Sequence, residues 1–404
     1  MTKANSSSQT CYRGKGGARK HAGFTLIELM ISIVIGLLLV LAMVTLLINV
    51  SRNNSELSKT NRLIENGRFT LQLLEADISH AGFWGGYIPQ FDNLTVTGNP
   101  TDYPKAVPDP CLIDSSWTAA VKTNLIGIPV QGYEIPDPVP TPTLSVCASK
   151  VISPKAETDV LFVRHLEPCV PGTTNCAALT NNEFYFQQAL CETVAIPSPP
   201  YAFEKYDASN VSTLFPFRNR GCNTGATGAA ELRRFMSTLY YVRDYAVTAG
   251  DGIPTLMRSQ FGVSVGTPEH ETAEALIEGI EGFRVEYGVD SLSDTGAAVN
   301  FGAAINWANT ANKTSPTNRG DGSPDGAYVR CTTALPCTVD QLANTVVVRI
   351  YVLVRNEQTT PGYIDRKSYN LGSTSLGPFN DSYKRHLFTQ TIRLNNISSR
   401  RETP

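Results

Sequence analysis

Lys20-His21-Ala22-Gly23-Phe24-Thr25-Leu26-Ile27-Glu28-Leu29-Met30 is where this sequence changes character. Before it the chain is polar and basic: residues 1–23 carry Lys3, Arg13, Lys15, Arg19 and Lys20 and no acid. After it, Phe24 to Val50 is almost wholly apolar, and Leu29 to Ile48 contains no charge. As a helix rising about 1.5 Å per residue, that uncharged run spans roughly 30 Å, the thickness of a bilayer's hydrocarbon core. We expect one membrane-spanning helix. A cleaved secretory signal has an apolar region of only about 7–15 residues and a small-residue cleavage site. Ile48-Asn49-Val50-Ser51-Arg52 offers no such site. A plain signal anchor fits the length but leaves Glu28 unexplained. A charge inside a membrane helix costs several kcal/mol, less near the interface, so this acid points to function.

The basic leader, the Gly23–Phe24 junction, Glu28 and the apolar span together resemble the processing site of type IV pilins and type II secretion pseudopilins. The resemblance implies cleavage after Gly23 by a membrane prepilin peptidase, which also methylates the new amine of Phe24. A glycine before the scissile bond lets the backbone extend into a protease cleft. Leader charges favour the cytoplasmic side. The freed amine is cationic, and Glu28 lies one helical turn away. The resemblance implies that Glu28 neutralises its own amine or a neighbouring subunit's, which sets the register of assembly. A carboxylate there also suits the positive end of the helix dipole. The bland alternative is an acid at the interface with no partner.

The helix is expected to run from Phe24 to Ala81. Leu57, Ile64, Leu71 and Ile78 recur every seventh residue, Leu63 and Leu74 widen the stripe, and Arg52, Lys59, Arg62, Glu65, Arg68 and Glu75 lie mostly off it. Gly67 weakens the helix by about 1 kcal/mol relative to Ala. Gly82, Gly85 and Gly86 mark its end. The segment Glu65–Leu74, followed by His80-Ala81-Gly82-Phe83-Trp84-Gly85, resembles the helix end of PilW-type minor pilins.

From Trp84 the chain is rich in Pro, Gly, Thr and Asn. Residues 129–142, with Pro129, Pro136, Pro138, Pro140 and Pro142, read as polyproline-like or turn segments. Strands are expected at Asp159–His165, Glu183–Leu190, Leu239–Tyr245, Gly282–Tyr287, Thr345–Arg355 and His386–Leu394. In the fifth, Val346, Val348, Ile350, Val352 and Val354 form a β-branched face that suits a core. Strands after one long helix imply an α+β fold, an antiparallel sheet packed on that helix. The expected organisation is a leader at 1–23, an assembly helix at 24–52, its amphipathic continuation at 53–83 and a periplasmic β-rich head with long loops at 84–404. Ile277–Asp290, read as a strand ending in a Tyr-Gly-Val-Asp turn, and Val347–Arg355 also resemble PilW-type segments. Residues 90–270 resemble nothing we can name.

Cys11 lies in the leader, so cleavage leaves Cys111, Cys147, Cys169, Cys176, Cys191, Cys222, Cys331 and Cys337. An even set suits an oxidising compartment. Eight cysteines allow on the order of a hundred pairings. The local pairs Cys169–Cys176 and Cys331–Cys337, with Cys111–Cys147 and Cys191–Cys222 by order, are the expected ones. No C-x-x-C is present, and His165 near Cys169 and Cys176 has no matched second pair, so no zinc site is expected. Asn318–Gly326 is an Asp/Gly loop without the alternating acids of an EF-hand. It reads as an acidic turn, with Ca²⁺ as the alternative, and no other cofactor is expected. The histidines His21, His80, His165, His270 and His386 sit in no catalytic pattern, and no nucleophile or phosphate-loop motif occurs, so no enzyme is expected.

The sequence has 404 residues, with 34 basic and 36 acidic side chains. Without the leader, 29 basic residues face 36 acidic ones, a net of −7. Bulk charge therefore argues against nucleic-acid binding. The resemblance implies a minor pilin held in the inner membrane with a periplasmic head. Other minor pilins and the major pilin would join it through the N-terminal helix, with the prepilin peptidase and the inner-membrane assembly machinery as further partners. It would help initiate type IV pilus assembly or sit at the tip, in support of twitching, adhesion or DNA uptake. The alternatives are a J-type minor pseudopilin of type II secretion and a tip adhesin whose middle region binds a ligand. Phe184, Tyr185, Phe186, Tyr201, Phe203, Tyr206, Phe215 and Phe217 could serve such binding, but we read them as core.

Overall fold

The computed structural model describes residues 23–402 apart from 141–143, 145–146, 192–197, 226–227, 265 and 314. Leader residues 1–22, with Cys11 and His21, lie outside the described residues, as does Pro142. The chain divides after Ser58 into two units, taken in turn.

Helix α1 is Leu26–Ile78. Up to Ser58 its apolar side chains are exposed on every face, Leu47 at 70% for example. A helix apolar all round is built for lipid or for other helices rather than for water. It is the helix among the described residues that is long and apolar enough to cross a membrane.

In the second unit the strands pair antiparallel throughout. One sheet holds β1 (Val130–Ile135), β2 (Thr158–Leu166), β3 (Phe184–Gln188), β4 (Tyr201–Lys205), β5 (Leu232–Arg243), β6 (Thr255–Ser264), β7 (Thr267–His270) and β8 (Glu274–Glu278). β5 is its spine, pairing with β3 near its start, β2 at its centre and β6 toward its end. A second sheet is built from β9 (Ile280–Val289) and β10 (Thr345–Arg355). A small hairpin follows, β11 (Tyr369–Leu371) and β12 (Thr374–Leu376), and then β13 (Arg385–Arg393) completes the second sheet in the order β13-β10-β9. Short helices α2 (Ala119–Gly127), α3 (Val211–Leu214), α4 (Val339–Ala343) and α5 (Asn395–Arg401) fill the connections. The fold is α+β, with the later part of α1 packed on antiparallel sheets.

The main core lies between both sheets and α1. Leu63, Gly67, Thr70, Leu74 and Ile78 are the buried helix positions. Each fully buried Leu or Ile contributes roughly 1.5–3 kcal/mol. Leu57 is 61% exposed, so the stripe facing the head starts later than the heptad reading placed it. The helix ends at Ile78 rather than Ala81, and a turn leads to Gly82 at φ +73°.

β10 has the bounds expected of it, but both its faces are covered. Val346, Val348, Ile350, Val352 and Val354 have no exposed surface, and Tyr351 and Leu353 on the other face pack with Leu371 and Leu376 of the hairpin. Three other expectations are corrected. A single sheet becomes two sheets and a hairpin. The proline-rich stretch contains β1, because Pro129 and Pro136 bracket Val130–Ile135 and leave every amide inside it free to pair. Tyr287 to Val289 continue β9 instead of turning, held by ladder bonds to β10.

Gly67 is a packing requirement, not only a weak point. A Cβ there would overlap the Phe388 ring of β13. Gly67→Ala should therefore lower stability by up to about 2 kcal/mol, since overpacking at about 1–3 kcal/mol is only partly offset by the propensity gain of about 1. Adding Phe388→Leu should recover part of the loss. An alanine variant with a higher melting temperature than wild type would refute this reading.

Candidate functional site

The residues at the head of α1 form a compact hydrogen-bonded unit. Glu28 Oε2 accepts from the Thr25 amide at 2.9 Å and from the Thr25 hydroxyl at 2.9 Å. The Glu28 amide donates to Thr25 Oγ1 at 3.3 Å, and the Leu29 amide donates to Thr25 O at 3.1 Å. This is a capping box: Thr25 is the N-cap, and Glu28 satisfies its amide in return. Sequence reasoning gave Glu28 a charge and missed the cap, although the Thr25-x-x-Glu28 spacing signals it. Phe24 is 83% exposed. A Cβ on Gly23 would meet nothing within 4 Å, so no packing among the described residues demands glycine there.

Residues 59–78 of α1 are fastened to the rest of the head by polar contacts as well as by the core. Lys59 Nζ donates to Thr359 O at 3.0 Å, and Arg62 pairs with Glu357 at 3.1 Å. Asn66 Nδ2 donates to Glu278 O at 3.0 Å. Asp77 Oδ1 is 2.9 Å from Nε2 of buried His165 on β2. Burial alone would lower the His165 pKa, but the Asp77 carboxylate prevails and the net shift is upward. His270 behaves oppositely. Burial, aided by the charge of Arg164, pushes it down to about 3.

These two shifts predict a pH profile. A raised histidine stabilises fully below its unfolded pKa, and the contribution is lost as pH rises through the folded value. A depressed one stabilises above its unfolded pKa of about 6.5, and the contribution is lost as pH falls from there toward its folded value, at up to about 1.4 kcal/mol per pH unit. His270→Gln should flatten the acid side of a melting-temperature profile below pH 6.5. His165→Gln should flatten the side above it. Unchanged slopes in both variants would contradict these assignments.

The eight cysteines form Cys111–Cys147, Cys169–Cys176, Cys191–Cys222 and Cys331–Cys337, the pairs named above. Glu167, Cys169 and Cys176 are the one cluster among the described residues with metal-ligand spacing, and its two thiols are spent in a disulfide. In the Asp/Gly loop the carboxylates serve the chain. Asp325 Oδ2 accepts from the amides of Ser291 and Leu292 at 2.8 and 2.7 Å, and Asp321 Oδ1 accepts from Ser323 at 2.7 Å. Asp290, fully buried, accepts from the Gly322 amide at 3.1 Å and pairs with Arg401 at 3.4 Å. Of the eight aromatics, Phe184, Tyr185, Phe186, Tyr201, Phe203 and Phe215 are buried, while Tyr206 and Phe217 are half-buried.

Comparison with known proteins agrees with the N-terminal geometry and adds to it. Residues 18–44 match the prokaryotic N-terminal methylation motif, which with the apolar helix α1 is consistent with a membrane-anchored pilin. Residues 239–396 match the family Type IV Pilus-assembly protein W. The two matches support the resemblance to PilW-type minor pilins, over about two fifths of the chain for the family model and the N-terminal segment for the motif. The family match starts inside the stretch 90–270 that sequence reading left unassigned, and neither match includes Glu65–Gly85. Among solved structures, a type IV-like pilin from Thermus thermophilus matches at 12% identity and a TM-score of 0.29, over 83% of this chain and 98% of that one. The fold assignment does not rest on it. No curated protein matches the chain.

Proposed function

We propose that this minor pilin helps to initiate type IV pilus assembly from the inner membrane and takes a tip or priming position in the fibre. The observation that carries the proposal is the exposed apolar first part of α1, up to Ser58, whose Thr25–Glu28 cap lies inside the methylation motif. Such a helix is satisfied by lipid before assembly and by neighbouring helices after it. Cleavage after Gly23 would free the Phe24 amine beside Glu28. Other minor pilins, the major pilin and the prepilin peptidase are its proposed partners. The head, residues 84–404, is bulky for a repeating shaft subunit, and a terminal position accommodates that bulk. Its role is structural, with no catalysis or cofactor proposed.

Deleting the gene and restoring it on a plasmid tests the proposal. The expected result is loss of surface pili and twitching, with secreted enzymes at normal levels and both defects repaired by the full chain. Normal pili with lost enzyme secretion would overturn it in favour of the J-type pseudopilin.

A further inference from the structure

A buried guanidinium brings five N–H donors and a charge, and both need partners. Arg284, Arg330, Arg385 and Arg401 each hold at least one carboxylate, and buried Arg319, which holds none, gives its Nη1 and Nη2 to the carbonyls of Asn300, Asn318 and Ala303. Among the described residues Arg164 has no carboxylate and a single carbonyl. It sits on β2 with no exposed surface, and its Nη1 donates to Ile128 O at 2.8 Å. Nε and Nη2 have no partner among the described residues. Among the described residues no salt bridge reaches it; its charge is felt at the phenol of Tyr133 and at His270.

The surroundings supply more donors than acceptors. Ser237 lies directly across the β2–β5 ladder, and its Oγ is 3.4 Å from His270 Nε2. His270 packs against the rings of Phe162 and Phe261, at 5.7 and 5.8 Å, and the Ser259 backbone lies beside it. Lys150 adds its charge at His270 and is itself paired with Glu269 at 3.2 Å. Gln131 spends its Nε2 on Pro108 O and the Tyr133 hydroxyl. Its orphaned Oε1 can take one Arg164 N–H, which still leaves the charge.

We propose that the head encloses a small monovalent anion, of chloride or bromide size, held by Arg164 Nε and Nη2 and the Ser237 hydroxyl beside His270. Enclosure sets the size: Arg164, Ser237 and His270 are at most 3% exposed. The anion supplies the charge that no side chain provides and is trapped as the sheet closes.

Bromide is the probe, with the full mature chain in detergent. Crystals grown with bromide in place of chloride should show an anomalous peak within hydrogen-bond reach of Arg164 Nε and Nη2. The melting temperature should rise by about 4–6 °C from gluconate to chloride at constant ionic strength. Arg164→Met should abolish that dependence; Ser237→Ala, a milder change kept in case Arg164→Met does not fold, should reduce it. A water without anomalous signal beside Arg164, or identical wild-type melting in the two salts, would overturn the proposal.

Discussion

Cells in which Glu28→Ala replaces the wild-type chain are expected to lose most surface pili, with the processed protein still present by immunoblot. The size of the effect follows from the medium. A charge pair broken in a low-dielectric setting costs about 3–5 kcal/mol, so incorporation should fall by well over about tenfold. Alanine alone is ambiguous, because Glu28 also closes the cap with Thr25. Glu28→Gln resolves this: glutamine can accept from the Thr25 amide as glutamate does, but carries no charge. If the proposed pairing with the Phe24 amine drives assembly, Gln and Ala fail alike. Thr25→Ala removes the cap, keeps the charge, and should cost only about 1 kcal/mol of helix stability. Wild-type numbers of pili in Glu28→Ala cells would end the pairing idea.

The second large effect concerns stability. Arg385, the first residue of β13, has a side chain with no exposure. Its guanidinium pairs with Glu281 of β9, with Asp365 at 3.1 Å and with Asp381 at 2.6 Å, and lies 3.8 Å from the Phe379 ring centre. Directly opposite on β10 stands Arg355, 3.3 Å from the same Glu281. The two arginines tolerate adjacency because Glu281 lies between them. Arg385→Met would leave buried carboxylates short of a cation, at a cost of about 3–5 kcal/mol. That is a large share of the roughly 5–15 kcal/mol that holds a typical domain together. As a control, Arg393→Met removes an exposed pair with Glu402 and should change little. Denaturant midpoints of the two variants that coincide would contradict the prediction.

Patterns that need only neighbouring residues were legible in the sequence. The apolar run of α1, the glycine stop at Gly82 and the alternation in β10 are of this kind. Patterns that need a distant partner were not. β1 hid among prolines because its pairing with β2 is invisible locally. β6, β7 and β8 carry polar residues such as Arg258, Glu269 and Glu274 and were passed over. A charged strand residue carries no local sign of burial, yet Asp159, Arg284 and Arg385 are buried because each finds its counterion on another element. At the N-terminus, the motif carried the site's chemistry, while the hydrogen bonds fixing Glu28 emerged only in three dimensions.

The four disulfides join the first remaining cysteine to the second, the third to the fourth, the fifth to the sixth and the seventh to the eighth. None encloses or crosses another, and the widest spans 36 residues. A head delivered across a membrane from its N-terminal end presents these thiols in that order. Each can be oxidised with the next to arrive, before any wrong partner has emerged. If the head is exported as proposed, reshuffling, which takes seconds to hours, is then dispensable, and covalent closure keeps pace with that export.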